Sequence, residues 1–146
     1  MTLIHLRRAH DEAAGSFAYA LDSAQVGAVF PGSRTRPHSH SAADGQSALV
    51  LLRDGATVRL AVAAADLVSQ LTAAGWTGSE HWIDRSSVGA STDDQAPGYA
   101  FGIVRGVIAS DATVAGTNPG VGIVRRSVRV GQARTLVEVE PAEVIR

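Results

Sequence analysis

Ser47-Ala-Leu-Val-Leu-Leu-Arg-Asp-Gly-Ala-Thr-Val-Arg-Leu-Ala-Val62 is the stretch that decides the fold class. Two apolar runs flank Asp54-Gly55, a dipeptide suited to the positive-φ central positions of a two-residue type I′ turn. Such a turn predicts Leu51 opposite Val58 and Leu49 opposite Leu60 on one face, with Thr57 and Arg59 on the other. One buried and one wetter face is the pattern of an antiparallel pair. Immediately downstream, Ala64, Leu67, Val68 and Leu71 recur at helical spacing. Asp66 suits a first turn and Gly75 a stop, which predicts one short amphipathic helix over 64–74.

Outward from this unit the chain reads mostly as strand. Leu3–Arg7, Phe17–Leu21 and Val26–Phe30 are short strand signals, followed by a polar loop or arm over 31–46. A second loop at 89–98 leads into Tyr99–Ala109, which alternates. Tyr99, Phe101, Ile103 and Val107 share one face, while Gly98, Gly102 and Gly106 leave the other open to close approach. Asn118-Pro119-Gly120 predicts a turn. Val121–Val130 and Ala133–Glu140 predict a second hairpin about Gly131-Gln132, with glycine where a type II′ turn requires it. That register sets Arg125 against Glu138 and places Arg129 beside Arg134, a like-charge pair. The expected fold is α+β and mainly antiparallel β: hairpins and a meander in a sandwich or barrel-like arrangement, with one short helix. A single domain is expected over 1–146.

Composition excludes several functions. A chain of 146 residues is one domain in size, and at that length roughly 68–70% of the unfolded surface is buried without staples. Hydrophobic residues make up 45% and charged residues 18%, which excludes general disorder. The formal net charge of −1 supplies no global field for nucleic acid or membrane. There is no cysteine, hence no disulfide, thiolate ligand or cysteine nucleophile. All 13 basic residues are arginine, which excludes Schiff-base chemistry and a Walker A lysine. Charge appears early at Arg7-Arg8, before a signal-peptide core can form, and Leu60–Ala65 is too short to span a bilayer. The expected location is a virion or the cytoplasm.

His38-Ser39-His40 is the sharpest motif, because two histidines one residue apart on an extended strand can reach one cation. Val26 to His40 resembles the first metal motif of cupins: five residues separate Gly32 from His38, and Asp44 stands at the position of the family's Glu. Gly78-Ser-Glu-His81 looks like the end of the second cupin motif. The sequence departs from the family in that Asp and in the helix after the hairpin. The resemblance implies a jelly roll binding one divalent transition metal through His38, His40, His81 and Asp44. Other chemistry is thinner. No G-x-S-x-G elbow occurs, so no serine triad is predicted. Glu80-His81-Trp82 with Asp84 offers a base and an orienting carboxylate, or, more plainly, a strand end with Trp82 in the core. Asp93-Asp94 reads as a solvated turn.

Arg125, Arg129 and Arg134 share a face in the expected hairpin but lack interleaved aromatics, so a protein rim fits better than a nucleic-acid groove. Arg34 and Arg36 sit in an arm of small polar residues suited to adaptable contacts. The leading expectation is therefore a non-enzymatic assembly protein without cofactor, a mostly β subunit of an oligomeric particle. A bacteriophage head decoration, head–tail connector or tail protein is its most concrete form. Its interface residues would be Arg34, Arg36, Arg125, Arg129 and Arg134. The alternative is a cupin-like metal-binding enzyme or small-molecule-binding protein using His38, His40 and His81.

Overall fold

Antiparallel strands and one short α-helix make up most of the described residues, as the alternation and turn signals predict. The computed structural model describes residues 2–7, 18–34, 42–84, 87–88, 103–120, 123–132 and 134–139. Strands β1 (Leu3–Arg7) and β2 (Ala18–Asp22) pair as a two-stranded ribbon, followed by a 3-10 turn over Ser23–Gln25. The main sheet contains β3 (Val26–Arg34), β4 (Ala42–Leu52), β5 (Thr57–Leu60), β6 (Gly78–Asp84), β7 (Ile103–Ala109), β8 (Thr113–Gly120), β9 (Ile123–Val130) and β10 (Arg134–Val139). Its order is β5-β4-β3-β7-β6-β10-β9-β8. Helix α1 (Ala64–Ala73) follows β5, and Gly75 takes φ 95° just beyond it.

The first hairpin differs from the sequence expectation by one residue. Gly55 takes φ 97°, but as the last residue of a three-residue loop, Arg53 to Gly55. The Leu52 N–H donates to the Ala56 carbonyl at 2.8 Å, and the Ala56 N–H donates to Asp54 Oδ1 at 2.9 Å. A type I turn followed by an αL residue gives this geometry. Leu51 therefore faces Thr57, Val50 faces Val58, Leu49 faces Arg59 and Ala48 faces Leu60. A one-residue slip exchanges faces. Val58 and Leu60 join Val50 and Ala48 beneath the helix, while Arg59, only 9% exposed, shares the face of Leu49 and Leu51. Both faces of β4 are buried from Ser47 to Leu51, which accounts for the unbroken apolar run there.

The second hairpin slips in the same way. Arg129 pairs with Thr135 and Arg134 with Val130, so the expected like-charge pair does not form. Glu138 lies opposite Arg126 instead of Arg125. Two further expectations are corrected. Pro31–Arg34 extends β3 and 42–46 belongs to β4, so the supposed arm is largely strand, with a register break at Pro31. Asn118-Pro119-Gly120 does not turn; it ends β8, an edge strand where proline costs no inner ladder bond. The loop at 89–98, and Gly98 to Gly102, lie outside the described residues.

Two cores result. On one face Leu67 and Leu71 of α1, Leu21 and Trp76 pack on Val29, Val50 and Leu60. The Trp76 indole N–H, buried there, donates to the Val26 carbonyl at 3.0 Å. Ala63 at the helix N-cap makes no side-chain cap bond, so α1 depends on this burial, about 1.5–3 kcal/mol for each large side chain. On the other face Phe30, Leu49, Leu51, Ile83, Ile108, Val128 and Leu136 form the second core. Its members come from β3, β4, β6, β7, β9 and β10, so the sheet curls around them. At the end of the curl the Gln132 N–H donates to the Arg53 carbonyl at 3.1 Å, joining the turns of the two hairpins. Gly106 has no side chain because a Cβ there would lie 2.4 Å from the Phe30 ring.

Gly131 combines φ 66° with a site where a Cβ would stand 2.2 Å from the Arg53 carbonyl oxygen. Gly131→Ala is expected to lower the urea midpoint, with a loss of about 1–3 kcal/mol. Gly116→Ala, where a Cβ meets nothing within 4 Å, is expected to leave the midpoint nearly unchanged.

Candidate functional site

Alternation along β6 sorts its side chains onto two faces. Ser79, His81 and Ile83 point to the side of the second core. Glu138 of β10 lies opposite Ile83, and Arg126 of β9 lies opposite Glu138, so the row continues across three strands. Ser79 Oγ is 2.9 Å from His81 Nε2, and His81 Nδ1 contacts Glu138 Oε2. The other oxygen, Glu138 Oε1, has the Arg126 guanidinium 3.5 Å away. A carboxylate only accepts, so in the neutral imidazole Nδ1 donates to Glu138 and Nε2 is left to accept the Ser79 hydroxyl proton. The His81 and Glu138 side chains are 26% and 16% exposed, and Ser79 is exposed. The order is hydroxyl, imidazole, carboxylate.

Glu80, Trp82 and Asp84 point the other way. Glu80 pairs with Arg105 at 3.6 Å and Asp84 with Arg125 at 3.5 Å. Neither orients His81; Glu138 does. Trp82 is half-buried and belongs to neither core, with the Arg105 guanidinium 4.8 Å from its ring centre. Arg125 and Arg129 share this face by register. The Arg134 backbone pairs with Val130 and its side chain is not described, so of the expected arginine set only Arg125 and Arg129 are placed together.

The expected metal ligands are not all brought together. Asp44 pairs with Gly32 on β4, and β3 and β7 separate that strand from β6. Three interstrand steps put the Asp44 and His81 backbones about 14 Å apart across the sheet, and Asp44 lies further along the strand as well. His38, His40 and Arg36 lie outside the described residues, as do Asp93 and Asp94, and the Arg34 side chain is not described. Among the described residues no group of three or more His, Asp or Glu gathers as a cation site.

An open cleft of about 370 Å³ lies where the 3-10 turn, the end of α1 and the β7–β8 turn meet. Arg53, Trp76, Thr77, Ser110 and Asp111 line it. Thr77 Oγ1 and Ser110 Oγ are 2.6 Å apart, and Arg53 binds Asp111 through both oxygens at 2.8 and 2.9 Å. The hydrogen bond from Arg53 holds the Asp111 carboxyl below its ordinary value of 3.8, helped by the guanidinium charge and opposed by desolvation. No protein-family profile matches the chain, nor does any curated protein or solved structure.

Asp111 has a lowered pKa in the folded chain, so its contribution to stability is present above pH 3.8 and is lost as pH falls through the folded value. Asp111→Asn is expected to flatten the acid side of the melting-temperature profile. Its side chain is 61% exposed, so the loss at neutral pH should stay below about 1 kcal/mol.

Proposed function

We propose that this protein is a structural subunit that assembles with further copies of itself. The supporting observation is Trp82, half-buried beneath the exposed Arg105 on the charged face of β6 and β7. Trp and Arg are the side chains most often found at the energetic centres of interfaces. Around them stand both signs of charge, Glu80 and Asp84 with Arg105, Arg125 and Arg129. A two-fold contact between identical surfaces requires such self-complementarity, since each arginine then meets a carboxylate of its neighbour. Guanidinium groups favour this because their planar forks bind carboxylates bidentately. The setting we propose is a larger particle, with a bacteriophage head or tail as the specific case.

Analytical ultracentrifugation tests the reading. The wild-type protein is expected to sediment at a multiple of 15.1 kDa. The double variant Trp82→Ala, Arg105→Ala should move toward the monomer while keeping its circular dichroism spectrum. A wild-type protein that stays monomeric at its highest soluble concentration overturns the proposal.

A further inference from the structure

The row through Ser79, His81 and Glu138 has no need to be ordered as it is. A serine on an exposed strand normally bonds water. Here Ser79 Oγ is 2.9 Å from His81 Nε2, and the opposite ring nitrogen contacts Glu138. Glu138 is in turn held between the imidazole and Arg126, which sits 3.5 Å away on the neighbouring strand. A nucleophile within hydrogen-bond reach of a base, with the base oriented by a third group, is the arrangement that activates a hydroxyl. The roles depend on geometry and not on sequence context, so the missing nucleophile elbow does not weigh against it.

We propose that Ser79 is an activated nucleophile that accepts acyl groups from carboxylic esters. His81 is the general base, and Glu138 is a positioning residue that acts through His81. In the acylation step Ser79 Oγ bonds to the ester carbonyl carbon while its proton passes to His81 Nε2. The tetrahedral adduct then expels the alcohol oxygen, which takes that proton. Water repeats the sequence on the acyl-serine, releasing the acid and restoring Ser79, so ester and water become acid and alcohol. The Ser79 side chain is exposed on β6. That favours esters with good leaving groups over amides, whose cleavage demands a protonated amine and a sheltered oxyanion. This chemistry uses the face of β6 opposite Trp82 and does not depend on assembly.

An alkyl fluorophosphonate is the probe. Attack by Ser79 Oγ forms an oxygen–phosphorus bond, breaks the phosphorus–fluorine bond and releases fluoride, with the proton going to His81. Intact-mass and peptide spectra of the full chain are expected to show one adduct, on Ser79. Ser79→Ala should abolish it. His81→Ala should slow labelling about a hundredfold, and Glu138→Gln should slow it at least about tenfold. Ser79→Ala and Glu138→Gln keep close to the native size and serve as readouts if His81→Ala fails to fold. Absence of an adduct on Ser79 in the wild-type chain overturns the proposal, as does labelling that proceeds equally fast in the folded Glu138→Gln variant. Because adducts are read by mass at one residue, the result is separable from the sedimentation result.

Discussion

Arg53 ties together four segments that are remote in sequence. Its N–H donates to the Gln25 carbonyl at 2.9 Å and its carbonyl accepts from Gln132 at 3.1 Å. Its side-chain Nε donates to the Ala24 carbonyl at 3.0 Å, while the two terminal nitrogens bind Asp111. The β4–β5 turn, the 3-10 turn, the β7–β8 turn and the β9–β10 turn thus meet at one residue. Each neutral bond contributes only about 1 kcal/mol net, but together they hold the four turns against one another. The curl closes the second core, and the position of β10 brings Glu138 to His81.

This is also a position where arginine is not replaceable by lysine. Two acceptors lie in different directions, a backbone carbonyl for Nε and a carboxylate for the terminal nitrogens. A rigid planar fork serves both at once, whereas a single ammonium on a flexible stem would serve them one at a time. The lysine-free composition is put to structural use here.

How much of this the sequence disclosed is clearest at the two hairpins. Both were legible as hairpins, because strand alternation and a glycine at the turn are local signals. Their registers were not. A positive-φ glycine fits the second place of a two-residue turn and the last place of a three-residue loop equally well, and at Asp54-Gly55 the longer loop wins. The same one-residue difference separates the expected Arg125–Glu138 contact from the observed Arg126–Glu138 contact. Ser79 and His81 could be placed on one face from the strand period alone. Their carboxylate partner, 57 residues from His81, could not, since no local pattern encodes the pairing of β6 with β10.

The order in which the second core is supplied shapes how the chain folds. Strands β3 to β5 and helix α1 are contiguous in sequence and bury the first core largely among themselves. Phe30, Leu49 and Leu51, on the other side of the same strands, find their partners only when Ile83, Ile108, Val128 and Leu136 arrive. During synthesis the amino-terminal unit therefore emerges with one apolar side uncovered, and it waits through most of the remaining chain for closure. High contact order of this kind slows folding, and exposed strand faces in the interval favour association with other incomplete chains. The bond between the two turns at Arg53 needs Gln132, so it too can form only after nearly all of the chain has been made.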